Sequence, residues 1–177
     1  LCFSVGWEIA LLGLFSIAAA VCYTAGPIPY GYKGLGDLFV FVFFGLIAVI
    51  GSYYVQVHQW AVFEPWCAGI ALGCLANAIL VVNNVRDRVT DSLANKQTLV
   101  VRLGDMWGRR YYAGLIIASY AVLLFALLIG LVSIGWLLPF VTAPLAWRCA
   151  QDIHHLNGAA LTQLLARTAR LETLFGL

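Results

Sequence analysis

Asp87 and Asp91 stand four residues apart in "NNVRDRVTDSLANKQTLVVRLG", residues 83–104. This stretch sets two carboxylates and two adjacent amides, Asn83 and Asn84, among four cations, Arg86, Arg88, Lys96 and Arg102. On a helix, residues i and i+4 share a face with Cβ atoms about 5–6 Å apart, and Asn83 falls one turn earlier on that face. Like charges at this spacing repel, and a divalent cation relieves the repulsion. Mg²⁺ takes one or two carboxylates, keeps some water, and completes its shell with substrate phosphates. Arginine grips phosphate oxygens in bidentate fashion, while lysine acts as a point charge. These residue types could therefore hold a metal–diphosphate complex. A bare DxxxD among arginines is more often charge balance in a basic loop. The paired amides, the spacing to Lys96 and the edge of an apolar run favour the metal reading. The DxDxDG order of an EF-hand and the GxxxxGK[ST] of a P-loop are both absent.

The elements that must position these groups are apolar. Hydrophobic residues make up 63% of the 177 and charged residues 10%, with mean hydropathy +0.92. Soluble domains carry about 25% charged residues, so the composition implies an all-α, polytopic membrane helical bundle. A crossing needs about 20 apolar residues. Residues 9–25 form one, stopped at "AGPIP". Residues 38–57 form a second, with Asp37 as an N-cap candidate. Residues 65–85 form a third, opened by Pro65. Residues 111–147 are too long for one crossing and divide near "IGLVSIG", with Pro139 and Pro144 kinking the last helix. About five spans result, followed by a polar or interfacial segment, "QDIHHLNGAALTQLLARTAR".

This arrangement places every Lys and Arg on one side: Lys33, Arg86, Arg88, Lys96, Arg102, Arg109, Arg110, Arg148, Arg167 and Arg170. Such segregation is the positive-inside pattern and puts the 83–104 stretch on the cytoplasmic face. The few basic residues lie mostly beside acids, so no nucleic-acid partner is expected. Cys2, Cys22, Cys67, Cys74 and Cys149 sit in apolar runs without a CxxC and read as small hydrophobes. The N-terminus has no initiator Met and no basic n-region, so it is not a signal peptide.

The string N-N-x-R-D-x-x-x-D-x-x-x-x-K-x-T-L-x-V-R-L-G resembles the second aspartate motif of the UbiA-type intramembrane prenyltransferases. Within them it is most similar to the branch acting on 1,4-dihydroxy-2-naphthoate in menaquinone synthesis. "YTAGPIPYGYKGLGDLFVFVFFG" (23–45) resembles that branch's loop and following helix. The resemblance implies a nine-helix, all-α membrane fold around a cavity, with Mg²⁺ as cofactor. It also implies a polyprenyl diphosphate donor, an aromatic acceptor, a lipid bilayer setting, and a place in the bacterial inner membrane. Carried over by position, Asp87 and Asp91 would be the catalytic Mg²⁺-diphosphate ligands. Asn83, Asn84, Arg86, Lys96 and Arg102 would be substrate contacts around them. Tyr23 and Lys33 resemble the family's Tyr/Lys diphosphate contacts. Asp37 is either an acceptor contact or only the N-cap. The implied reaction is prenyl transfer to 1,4-dihydroxy-2-naphthoate with loss of CO₂, giving demethylmenaquinone. Another acceptor (4-hydroxybenzoate, homogentisate or haem) and a cation transporter or channel segment are the rivals.

Two departures stand out. Asn95 replaces the family's usual Gly before the Lys, a position where Asn tolerates the left-handed conformation. No NxxxDxxxD occurs in residues 1–82. The chain is therefore expected to be a single prenyltransferase domain cut at both ends, and inactive alone. Glu8 and His58 read as helix-end residues on the opposite side, Trp60, Trp66, Trp107 and Trp136 as an aromatic belt, and the adjacent His154 and His155, which do not share a helix face, as no metal site. Tyr53, Tyr54, Tyr111 and Tyr112 could line a cavity, although packing is the commoner role.

Overall fold

A computed structural model describes residues 6–24, 29–60 and 62–177, and among these it contains no strand. Helix α1 spans Trp7–Thr24. A 3₁₀ turn at Tyr30–Lys33 leads into α2, which spans Gly36–Val57. Helix α3 spans Phe63–Arg86, and the short α4 and α5 span Arg88–Leu93 and Leu99–Leu103. Helix α6 spans Asp105–Leu128. A 3₁₀ stretch at Ile134–Thr142 then runs into α7, Ala143–Asp152, and α8 spans Ala160–Phe175. Helices α2, α3 and α6 are long and apolar enough to cross a bilayer, and Trp7–Tyr23 is a shorter apolar helix. The chain is an integral membrane protein of the all-α class. Cys2 and most of "AGPIP" (25–28) lie outside the described residues.

Helix α3 is the axis of the bundle, packing chiefly on α6 and also on α2 and α8. Its buried residues are mostly small: Gly69, Ala71, Gly73, Cys74, Ala78, Val81 and Val82. Lipid tails are as apolar as leucine, so helices in a bilayer associate through close packing of small residues. The tightest approach is between α2 and α3. A Cβ on Gly45 would sit 2.5 Å from the Cα of Gly73 and 2.6 Å from the carbonyl oxygen of Gly69. Gly45 lies within a π-helical stretch, Phe41–Ile47, in the middle of α2. Such widened turns recur at functional sites.

The division of residues 111–147 holds. Helix α6 ends at Leu128, Gly130 turns the chain with φ 75°, and the next helical stretch opens at Ile134. Pro139 lies inside the 3₁₀ stretch and Pro144 in the first turn of α7. Pro65 is the third residue of α3 rather than its first. It is tolerated there because the first four amides of a helix have no intrahelical acceptor.

The segment after 152 carries more structure than its polar composition suggests. Residues 160–175 form a helix, α8, which packs back along α3. Leu161, Leu164, Thr168, Leu171 and Phe175 make one buried stripe. Thr168 shares a 2.6 Å hydrogen bond with the hydroxyl of Tyr112, which is fully buried. Arg167 pairs with Asp152 at 2.5 Å. Polar residues on the opposite face lower the segment's mean hydropathy and hide the stripe. Arg109, also buried, ties the start of α6 to the end of α7. It pairs with Asp105 and donates to the carbonyls of Ile153 and Leu156 and to Asn157.

Candidate functional site

The polar strip begins where α3 ends. One continuous helix through Asp91 does not form: α3 stops at Arg86, and Asp87 (φ −95°, ψ 7°) is the junction residue before α4. The one-turn spacing nevertheless survives. The Asp87 amide donates to the Asn83 carbonyl at 2.9 Å, and the Asp91 amide to the Asp87 carbonyl at 2.8 Å. Helix α4 closes with Asn95 left-handed at φ 56°. The Lys96 amide donates to the Asp91 carbonyl at 2.8 Å, and the Asn95 amide to that of Ser92 at 3.1 Å. This is the paired bonding of a Schellman cap, in which Asn can replace Gly. The cap folds Lys96 back over α4, so its Nζ lies 3.1 and 3.2 Å from the two carboxylate oxygens of Asp91.

Asp87 is held from the other side. Arg86 grips it through Nε and Nη2, both at 2.8 Å, and Nη2 also donates to Asn83 Oδ1 at 2.7 Å. These bonds hold the Asp87 carboxyl below the usual carboxylate range. Partial burial opposes the shift, and the charges of Arg86 and Lys96 add to it. Asn83, Arg86, Asp87, Asp91 and Lys96 thus form one half-buried strip of two paired acids and two paired cations.

A second loop docks beside it. The Gln97 amide donates to the Tyr32 carbonyl at 2.9 Å, and Arg102 donates to the Lys33 carbonyl at 3.0 Å. Thr98, buried, caps α5 by accepting from the Val101 amide. Gly34 permits the junction: its φ is 77°, and a Cβ there would meet the Gln97 carbonyl at 2.8 Å. Lys33 and Arg102 therefore share this end of the bundle, both exposed. Tyr23 lies on the other side of the 3₁₀ turn, edge-on to Tyr30 at 5.4 Å. Gly34→Val is expected to open the junction, because a β-branched side chain resists positive φ and has no space. Hydrogen exchange at the Gln97 amide should then quicken at least tenfold. Unchanged exchange would show that the loops hold together by other means.

Asp37 and Asn84 face inward. Asp37 is 4% exposed, and it is not the N-cap: Leu35 occupies that position and no side chain caps the helix. Asp37 Oδ1, Asn77 Oδ1 and Asn84 Oδ1 are buried and find no hydrogen-bond partner among the described residues. Asp37 and Asn77 line a cavity of about 370 Å³ with Tyr111, Leu38, Phe41 and Leu115. The Asn77 amide donates to the Tyr111 hydroxyl at 2.9 Å. Sequence reasoning passed over Asn77, although a lone amide inside an apolar span is itself a signal. Of the four tyrosines considered as cavity residues, Tyr111 lines this one and Tyr112 is core. A larger apolar cleft of about 640 Å³ lies between α1 and α2, bordered by Tyr23, Tyr30, Phe39, Phe43 and Phe44.

Among the described residues, no three His, Cys, Asp or Glu side chains cluster as a metal cage. Two carboxylates one turn apart fit instead a hard cation that takes its remaining oxygens from water and a phosphate. Arg86 and Lys96, now spent on the carboxylates, are the cations such a phosphate would meet.

These features define a class: intramembrane helical bundles with an acid–base strip at one end of an apolar interior. The chain belongs to the UbiA prenyltransferase family, whose model matches residues 1–166. It is 43% identical over 164 residues to the 1,4-dihydroxy-2-naphthoate octaprenyltransferase of Escherichia coli, covering 90% of this chain and 52% of that protein. It is 43% identical over 159 residues to the protein of the same name from Mycobacterium tuberculosis, covering 88% and 51%. It is 34% identical over 170 residues to UbiA prenyltransferase domain-containing protein 1 of Mus musculus, covering 96% and 48%. The chain spans about half the length of these relatives.

Proposed function

We propose that the protein transfers a polyprenyl group from its diphosphate to 1,4-dihydroxy-2-naphthoate, yielding demethylmenaquinol, the reduced form of demethylmenaquinone, and that Asp87 and Asp91 hold the diphosphate through Mg²⁺. The observation that carries this reading is the strip itself, two acids one turn apart with each carboxylate pre-paired to a cation. The family and the names of the relatives support the acceptor.

When bound, Mg²⁺ would offset the charge that grows on the leaving diphosphate as the allylic C–O bond breaks. The chain's own residues do the rest. Arg86 and Lys96, released from their carboxylates, turn to the phosphate oxygens. Lys33 and Arg102, fixed beside them by the docked loop, add positive potential. Tyr23 borders the apolar cleft between α1 and α2, which suits a prenyl chain. The bundle keeps water from the allylic carbon, and an electron-rich ring attacks that carbon to form the new C–C bond. Loss of CO₂ from the attacked position returns the ring to aromaticity.

The test is an acceptor panel with the full-length protein, Mg²⁺ and a polyprenyl diphosphate. Dihydroxynaphthoate should be prenylated at least tenfold faster than 4-hydroxybenzoate or homogentisate. Preference for either of those would move the assignment to another branch. Ion flux in liposomes without prenyl transfer would remove the protein from enzymology altogether.

Sidedness follows from the same reading. The strip faces the cytoplasm, on the side that the segregation of Lys and Arg designates. A thiol label at Asn95→Cys should react from the cytoplasmic side, and one at Gln59→Cys from the opposite side. Labelling of both from one side would mean that the chain crosses an even number of times between them.

A further inference from the structure

Arg102 differs from the other cations near the strip. Among the described residues it pairs with no carboxylate. Its Nη2 donates instead to the main-chain carbonyl of Lys33, 69 residues away in sequence, at 3.0 Å. The guanidinium lies over the next residue: a Cβ on Gly34 would meet its Cζ and Nε, both at 3.5 Å. The Gln97 amide takes the preceding carbonyl, that of Tyr32, at 2.9 Å. Two consecutive carbonyls of the 3₁₀ turn are thus held by the segment 97–102.

Both sides of this clamp are anchored. Helix α5 is seated on the bundle, since Val100 is fully buried and a Cβ on Gly108 of α6 would meet it at 2.9 Å and Val85 of α3 at 3.1 Å. The turn is fixed on its far side by Tyr30, which stacks on Phe39 at 3.7 Å and donates to the Ala19 carbonyl of α1 at 2.5 Å. Lys33 stands between these anchors, and its ammonium pairs with no carboxylate among the described residues. The bond from Gln97 to Tyr32 joins the residue after Lys96 to the residue before Lys33, so the two lysines flank one junction.

Arg86 and Lys96 can leave their carboxylates for a phosphate, because a metal ion arriving with that phosphate takes their place. Nothing arrives to replace Arg102 on the Lys33 carbonyl. Were it to swing to a phosphate, the turn would keep only the Tyr32 bond to this segment. A hydrogen bond from a charged donor is about twice as strong as a neutral one, which suits a fixed clamp.

We propose that Arg102 is a positioning residue: it stays on the Lys33 carbonyl while the donor binds, and acts on the diphosphate through Lys33, whose ammonium it holds beside the strip. This rests on the proposed reading of the strip as the diphosphate site. The charge of Arg102 adds to the potential there, while its directional bond goes to the turn.

The experiment is a double-mutant cycle in the full-length protein. Arg102→Met and Lys33→Met should each raise the KM for polyprenyl diphosphate about tenfold, leaving the acceptor KM within about twofold. The double variant should lie within about twofold of either single one, because a clamp has no effect once the group it holds is gone. Losses that multiply toward a hundredfold overturn the inference, since a direct phosphate ligand and a general scaffold residue both predict that. A KM indifferent to Lys33→Met also overturns it. Hydrogen exchange at the Gln97 amide, measured without ligand, should quicken about tenfold in Arg102→Met and stay unchanged in Lys33→Met. Exchange indifferent to Arg102→Met overturns the clamp. Arg102→Gln, too short to reach the carbonyl, repeats each measurement should Arg102→Met not fold. If the wild type prenylates no naphthoate, the functional reading fails, and the same cycle is read as binding of inorganic diphosphate with Mg²⁺. A wild type that binds no diphosphate overturns both.

Discussion

Asp87→Ala and Asp91→Ala, each made in the full-length protein, are expected to lower the rate of prenyl transfer at least a hundredfold, about 2.7 kcal/mol of barrier. Both proteins should remain folded in detergent. The carboxylates lie at the end of α3 and in α4, outside the core, so their removal opens no cavity in the bundle. Each change does strand a cation: Arg86 keeps only Asn83, and Lys96 loses its partner. The stability cost of losing such partly exposed pairs is small. What disappears is the grip on the donor, seen as a raised KM for polyprenyl diphosphate and a flattened Mg²⁺ response. Arg88→Ala is the control. Arg88 opens α4 and makes no side-chain hydrogen bond within the strip, so its activity should stay within threefold of wild type. Asp variants with normal activity and normal Mg²⁺ response would reduce the strip to charge balance.

The second large effect is expected far from any charge. Gly45→Ala should cut activity about a hundredfold and lower the melting temperature. The added Cβ meets backbone on both counts, the Cα of Gly73 and the carbonyl of Gly69, and backbone cannot swing aside as a long side chain can. Helices α2 and α3 must therefore separate. Overpacking of this kind costs about 1–3 kcal/mol. The larger consequence is positional, because α2 carries Asp37 and α3 carries Asn77 and Asn83. A displacement of about 1 Å can cost about a hundredfold in rate. An unaltered melting temperature and rate would mean that the contact between these helices yields more easily than its geometry implies.

Apolar runs placed α2, α3 and α6 within a few residues, because uninterrupted hydropathy leaves few alternatives in a chain this poor in charge. The break at 129–133 was legible through Gly130. The acid strip was legible as composition, and the left-handed Asn95 as a turn. Its bonding was not, since which cation serves which carboxylate depends on the chain break at Asp87 and the Schellman cap at Asn95. Helix α8 escaped notice because its polar face dilutes its stripe. The Asp37–Asn77–Tyr111 cavity escaped because its members come from three helices, and only tertiary packing makes them neighbours. Asp37 at the head of an apolar run looks like a capping residue until Leu35 is seen to hold that position.

The pairing of Arg86 with Asp87 and of Lys96 with Asp91 makes loading of this strip an exchange reaction. On the proposed reading, a divalent ion arriving alone must displace a guanidinium and an ammonium and leave them unneutralised. A diphosphate arriving alone must draw those cations away and leave the carboxylates bare. Arriving together, the two exchange every partner at once, and neither the carboxylates nor the cations are left bare. Metal and diphosphate should therefore bind with positive heterotropic coupling, each raising the other's affinity by the same factor, and the resting protein should discriminate against either ion on its own.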